Sequence, residues 1–311
     1  MSLKHISVLL EESIKGLDIK PNGIYIDGTV GGGGHSFFIA NKLLDTGKLI
    51  CIDQDLFALD MAKKKLFEFD NKIIFVHDNF CNIKQVAYKN NFDCVDGILL
   101  DLGVSSFQID DCERGFSYIK NSRLDMRMDK TKKLSAFDII NYYDKKELEA
   151  IIKNYGEEKF YKQIVNKIFI ARNIKPIETT FELVDIIKSA LPKKILYNNS
   201  HPAKKTFQAI RIAVNNELDI LEKTIIDCVD LLKPGGRLCI ISFHSLEDRI
   251  IKNSFKKLYN PCVCPRDFPV CVCNKKSLCD IITKKPICPS ELEIKNNPRA
   301  HSAKLRIIKK I

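Results

Sequence analysis

The sequence predicts an α/β fold, a mostly parallel sheet interrupted after its fourth strand by a helical insertion. Three observations predict it. Short apolar β-rich runs alternate with helix-period runs over the first hundred residues. That alternation stops between about Gln108 and Ala203, where helix starts dominate. It then resumes in the last third, with further apolar strands after a long helical stretch.

Taken in order, Gly23-Ile24-Tyr25-Ile26-Asp27 is a strand ended by glycines, followed by a helix over 36–44 in which Phe38, Ile39, Leu43 and Leu44 recur at helical spacing. Lys48 to Asp53 is a second strand and Leu56 to Phe67 its helix; Lys72 to His77 is a third strand. Val95 to Asp101 is a fourth, apolar enough to be buried on both faces. In the middle third, Ser135 with Asp138, Asp144 with Glu147 and Thr179 with Glu182 have capping-box spacing ahead of apolar-periodic runs. Amphipathic helices over 148–172 break near Gly156, and Pro176, Pro192 and Pro202 punctuate the end. One long helix is expected from Thr206 to Leu232. A tight turn at Lys233-Pro234-Gly235-Gly236 then leads to a fifth strand at Arg237 to Phe243, a helix at Leu246 to Leu258 and a late strand at Ser302 to Ile308. The expected division is a discontinuous domain of residues 1–107 and 204–311 around an inserted helical domain of 108–203.

Composition narrows the class. With 45% hydrophobic and 29% charged residues, the 311-residue chain is globular rather than disordered. It has no apolar run near the ~20 residues that span a bilayer. The start lacks a basic segment and a small-residue cleavage site, so the expected location is cytoplasmic. Twelve cysteines without a secretory signal are read as reduced thiols. Cys51, Cys81, Cys94, Cys228 and Cys239, in or beside apolar runs, read as small buried hydrophobes. The net charge of +11 is uneven: 11 basic against 14 acidic residues over 1–103, 21 against 14 over 104–215, and 18 against 11 over 216–311. That pattern suits a small-molecule site beside a polyanion-binding surface; solvated lysine-bearing faces would produce it as well.

Asp27-Gly28-Thr29-Val30-Gly31-Gly32-Gly33-Gly34-His35 joins the first strand to the first helix, where glycines allow a sharp turn and close approach of a ligand. Asp53, 20 residues after Gly33 at a strand end, is placed to accept from ribose hydroxyls. NAD and S-adenosylmethionine both fit such a crossover. Asp27 decides between them, because a carboxylate repels a pyrophosphate and attracts the ammonium of a methionine moiety. The Pro234-Gly235-Gly236-Arg237 turn and the Asp101-Leu102-Gly103-Val104-Ser105-Ser106 loop point the same way.

The loop from Asp27 to His35 is one of several blocks that resemble the RsmH (MraW) family. The others are Gly97 to Ser106, Glu113-Arg114-Gly115-Phe116-Ser117, Leu124-Asp125-Met126-Arg127-Met128-Asp129, Thr206-Phe207-Gln208-Ala209 with Arg211, Ser242 to Arg249, and Asn297-Pro298-Arg299-Ala300. The blocks run in order over nearly the whole chain. The resemblance implies a class I (Rossmann-like) methyltransferase sheet with an inserted helical domain. It also implies S-adenosylmethionine-dependent methylation of N4 of one cytosine in the decoding region of bacterial 16S ribosomal RNA, on free rRNA or the small subunit, and leaves a homodimer open. It assigns Gly33, Gly34, His35, Asp53, Phe80, Asp101 and Gln108 to the cofactor, with Asp101 as the candidate proton acceptor. Arg127, Arg211 and His244 are candidates for the acceptor base; for His244 a structural histidine, and for Arg127 an ion pair with Asp125 or Asp129, are the competing readings. Lys204, Lys205, Arg249 and Arg299, with Arg172, are candidates for phosphates. The rival reading is a non-catalytic RNA-binding assembly factor with a residual cofactor pocket; the full glycine loop with Asp53 and Asp101 argues against it.

Cys262-Val263-Cys264 and Cys271-Val272-Cys273, near Cys279 and Cys288, leave two readings open, a tetrahedral zinc site or a loop of reduced thiols. Structural zinc pairs usually have two or more intervening residues, so no metal is assigned from sequence.

Overall fold

The computed structural model describes residues 7–196, 201–265 and 272–311. The chain divides into two compact units, one of Met1–Gly103 with Leu218–Ile311 and the other of Val104–Glu217.

The first unit opens with α1 (Leu10–Leu17), β1 (Ile24–Asp27), α2 (Gly34–Lys42), β2 (Lys48–Asp53), α3 (Leu56–Lys65), β3 (Ile73–His77), α4 (Ile83–Lys89) and β4 (Val95–Asp101). The second unit holds α5 (Ser106–Asp110), α6 (Ala136–Tyr142), α7 (Lys145–Gly156), α8 (Tyr161–Arg172), α9 (Thr180–Ala190), α10 (Lys193–Leu196) and α11 (Lys204–Asn215). The first unit then resumes with α12 (Leu221–Leu231), β5 (Leu232–Ser242), α13 (Ser245–Tyr259), β6 (Cys279–Ile281), α14 (Glu291–Asn296) and β7 (Lys304–Lys310).

Seven strands form one sheet in the order β3-β2-β1-β4-β5-β7-β6. β1 to β5 are parallel, β7 runs antiparallel to β5, and the short β6 pairs antiparallel with β7. Strand periodicity sorts the side chains onto two faces. Ile50, Ile52, Ile98, Leu100, Leu238 and Ile240 enter one apolar layer, while Leu49, Cys51, Leu99, Cys239 and Ile241 enter the other. Both faces are therefore covered, which is why β4 reads as a continuous apolar run.

The expected single helix over 206–232 is two helices. Asn216, at φ 53°, closes α11 in the left-handed region, and the chain turns before α12. α11 packs on α7 and joins the helical unit's own core through Phe207, Ile210 and Val214, so the units part at Gly103 and Glu217 rather than at 108 and 203. The Lys233–Gly236 segment is a bulge within β5 rather than a turn before it. Val95 pairs with Leu232 and Gly97 with Arg237, so the extra residues are accommodated there with Gly235 at φ +82°. Of the cysteines expected to be buried, Cys51, Cys228 and Cys239 are; Cys81, in the turn after β3, and Cys94, just before β4, are half-buried.

All three capping boxes expected in the helical unit form. At the start of α7 the Asp144 carboxylate accepts the Glu147 N–H at 2.8 Å and Glu147 accepts the Asp144 N–H at 3.0 Å. Asp144→Ala is expected to cost about 1 kcal/mol of stability. A urea midpoint equal to that of wild type would remove this cap from the interactions that hold the unit.

Candidate active site

The strand order reverses beside β1, so the crevice at the carboxyl ends of β1 and β4 is the place where an open α/β sheet receives a ligand. The glycine loop fills the step from β1 to α2. It is bonded to both neighbouring strands: Gly28 N–H donates to the Leu99 carbonyl at 2.9 Å and Val30 N–H to the Ile52 carbonyl at 2.9 Å. Gly31 and Gly33 take φ of +51° and +75°, which L side chains rarely adopt. A Cβ on Gly34, the first residue of α2, would collide with the Ser7 hydroxyl.

Three carboxylates end the strands around this loop. Asp27, at the end of β1, is buried and accepts the Ser36 hydroxyl at 2.6 Å and the Thr29 N–H at 3.2 Å. Its oxygens thus hold the loop and the start of α2 together. Burial pushes its carboxyl up to about 6. Asp53, at the end of β2, accepts Gly31 N–H at 2.8 Å on one oxygen and Asp55 N–H at 2.9 Å on the other. Burial raises it to about 6 as well. Each oxygen retains acceptor capacity for a hydroxyl.

Asp101 ends β4, and its own N–H donates to Thr29 Oγ1 at 2.6 Å. Its Oδ2 stands 3.7 Å from His35 Nδ1, and its Oδ1 is buried with no hydrogen-bond partner. Burial lifts the Asp101 carboxyl well above the usual range, and the negative charges of Asp27 and Glu247 add to the rise. His35 Nε2 lies 3.0 Å from the Val8 carbonyl, which can only accept, so Nε2 carries a hydrogen and Nδ1 faces Asp101. Among the described residues no lysine or arginine pairs with Asp27, Asp53 or Asp101.

Phe80 opens a short 3-10 turn after β3. Asn79 fixes that turn by accepting the Cys81 N–H at 2.9 Å and donating to Gln54 Oε1 at 2.8 Å. A Cβ placed on Gly28 would stand 3.4 Å from Phe80 Cβ, so the aromatic residue lies against the glycine loop.

The first unit therefore brings together Gly33, Gly34, His35, Asp53, Phe80 and Asp101. Gln108 belongs to the second unit, where its Oε1 accepts the Ser105 N–H at 2.9 Å in a capping box. Arg127 also has its donors engaged close by: Nε and Nη2 pair with Asp125 at 2.9 and 2.6 Å, and Nη1 donates to the Lys132 carbonyl at 2.6 Å. Arg211 forms a fork with Glu217 at 2.8 and 2.7 Å. His244 is the N-cap of α13; its Nδ1 accepts the Glu247 N–H at 3.4 Å and its Nε2 stands 3.2 Å from Glu247 Oε1. Arg172 donates to the Ile140 carbonyl at 2.8 Å and lies over the Phe169 ring. Lys204, Lys205, Arg249 and Arg299 are exposed. Two residues of the site were missed in the sequence. Thr29 supplies the acceptor for the Asp101 N–H, and buried Glu247 adds negative potential at Asp101. The His244–Glu247 capping-box spacing was the available signal for the second.

The observed geometry suits a cationic adenosyl ligand. A buried carboxylate oxygen without a donor favours a positive charge, and a strand-end acid beside a glycine loop suits a ribose. The sheet and this constellation define an S-adenosylmethionine-dependent class I methyltransferase. The chain belongs to the MraW methylase family, whose model matches residues 2–311. It is 56% identical over 313 residues to the ribosomal RNA small subunit methyltransferase H of Acetivibrio thermocellus, covering all of both chains. It is 53% identical over 311 residues to the proteins of that name from Lachnospira eligens and Clostridioides difficile, covering 100% of this chain and 99% and 100% of theirs. Among solved structures, a putative rRNA-methylase from Clostridium thermocellum aligns over 98% of this chain and 99% of that one, at 12% identity and a TM-score of 0.47.

Two outcomes follow from the buried acids. Asp53→Ala is expected to weaken S-adenosylhomocysteine binding by about tenfold or more through lost ribose hydrogen bonds, each worth roughly 1 kcal/mol or more. An unchanged dissociation constant by calorimetry, with native circular dichroism, would contradict it. For Asp27, a folded value above the unfolded 3.8 means that the stabilising contribution is present below that pH and lost as pH rises through about 6. In the ligand-free protein, Asp27→Asn should therefore gain stability over wild type between about pH 4 and 6. It should keep an advantage on the order of 3 kcal/mol above that range. A pH-independent difference in unfolding free energy is the contrary result.

Proposed function

We propose that this enzyme methylates N4 of one cytosine in the decoding region of bacterial 16S ribosomal RNA, as free rRNA or within the small subunit. The chemistry rests on Asp101, a strand-end carboxyl with one oxygen buried and without a donor, beside the glycine loop. The substrate reading rests on end-to-end identity of 53–56% with small-subunit rRNA methyltransferases and on the motif blocks of the chain. Bound S-adenosylmethionine supplies an electrophilic methyl group.

The chain's own residues divide the remaining work. Asp53 would take the ribose, Phe80 would lie flat against the purine, and Gly33 and Gly34 let the ligand approach the backbone at the start of α2. Asp101 has two uses. Its ionised form stabilises positive charge in the low-dielectric crevice, and its raised proton affinity makes it a good acceptor for an amine N–H. That acceptor matters because the exocyclic amine of cytosine has its lone pair delocalised into the ring. His35 Nδ1 stands 3.7 Å from the other Asp101 oxygen, beyond hydrogen-bond distance. The exposed Lys204, Lys205, Arg249 and Arg299 would meet phosphates, whereas Arg127 and Arg211 serve their own ion pairs.

The test combines labelled cofactor with small ribosomal subunits, and separately with free rRNA, followed by nucleoside digestion. N4-methylcytidine is the expected product; label in another base, in DNA or in protein overturns the substrate reading, and no transfer at all would favour a binding-only role at the subunit. Asp101→Asn should lower turnover by about 100-fold or more while S-adenosylhomocysteine still binds. Turnover close to wild type would exclude Asp101 as the acceptor.

A further inference from the structure

α13 ends at Tyr259 and the edge strand β6 begins at Cys279, so a 19-residue connection without helix or strand among its described residues links them. Loops of this length are uncommon in compact units unless something holds them. Among its described residues the valines do not anchor it: Val263 and Val272 are 67% and 65% exposed. What the connection does bring together is sulfur. Cys262 and Cys264, just beyond α13, and Cys273, just before β6, place their Sγ atoms within 4.8 Å of one another.

The spacing excludes a disulfide and is compatible with metal ligation. A disulfide requires sulfurs about 2.05 Å apart. Cys262 and Cys273 Sγ stand 3.7 Å apart, and all three cysteines are unbridged. Two thiolates on a tetrahedral zinc ion, with bonds of about 2.3 Å, are separated by about 3.8 Å. The pair therefore already spans one edge of a zinc coordination tetrahedron. Cys264 Sγ accepts the Val272 N–H at 3.4 Å, the kind of backbone donor that tempers the charge of a metal-bound thiolate. We propose that Cys262, Cys264 and Cys273 bind a zinc ion that clips the end of α13 to the start of β6.

Soft thiolate donors select zinc over magnesium or calcium, and ion entry releases the thiol protons to solvent. The one-residue spacing within Cys262-Val263-Cys264, short for a structural zinc pair, is offset by the third ligand arriving from the far end of the connection. The fourth position of the ion is open to another donor. Cys271, which the sequence offers as part of the second C-x-C pair, lies outside the described residues. The site is separate from the acids at the strand ends, and nothing in methyl transfer requires it.

Elemental analysis of the full chain, purified under reducing conditions without chelator, should find about one zinc per chain. The double variant Cys262→Ser with Cys273→Ser should lose that zinc. S-adenosylhomocysteine binding by the same sample reports whether the sheet is still folded. If the double variant does not fold, cobalt(II) titration of chelator-stripped wild-type protein decides. Intense thiolate-to-cobalt charge-transfer absorption and protection of the three cysteines from alkylation by added zinc support the site. Wild-type protein that takes up neither zinc nor cobalt overturns the proposal, as does a Cys262–Cys273 disulfide recovered from reducing buffer.

Discussion

Negative charge without a fixed counter-ion governs this molecule. Asp27, Asp53 and Asp101 close three adjacent parallel strands around one glycine loop, all in surroundings that disfavour ionisation. Backbone N–H groups of Thr29, Gly31 and Asp55 and the Ser36 hydroxyl offset part of that cost for Asp27 and Asp53, and Oδ1 of Asp101 has no hydrogen-bond partner. A ligand carrying a sulfonium and an ammonium completes the electrostatics that the sheet leaves unfinished. The loop's positive-φ glycines, His35 and Phe80 all border that crevice.

The helical unit shows a second use of family motifs. Met126 holds a left-handed backbone at φ 58°, a costly conformation for a side chain of its size. It persists because its neighbours are bonded on several sides. Asn215 accepts the Met128 N–H at 2.8 Å and donates to the Met126 carbonyl at 2.8 Å. Buried Arg114 donates to the carbonyls of Arg127 and Met128 at 3.1 and 2.9 Å. Motif residues thus build the loop itself, and the Arg127–Asp125 ion pair lies within it.

Much of the fold was legible in the sequence because local and tertiary preferences agree. The first four strands, the capping boxes and the strand-end acids stand where periodicity and spacing place them. The failures have local causes. A helical pattern from Thr206 to Leu232 carries no glycine or proline, so the left-handed break at Asn216 had no strong sequence marker. β6 is three residues long and exists only because β7 offers an edge. The Ser36 hydroxyl bond of Asp27 was not legible either, because position at a strand end does not reveal which way the oxygens turn. The thiol cluster was ambiguous for a related reason, since spacing along the chain says nothing of where Cys273 returns.

The insertion also has a temporal consequence. β4 and β5 lie side by side in the sheet, yet Asp101 and Leu232 are separated by the whole helical unit and α12. During synthesis at roughly 5–20 residues per second, the unpaired edge of β4 waits on the order of ten seconds for its neighbour to emerge. Throughout that interval an apolar strand with open N–H and C=O groups is available to other chains, the condition that favours misassembly. Early compaction of the helical unit around its own core would shorten the effective loop that must close and reduce that exposure, making the insertion an aid to sheet completion.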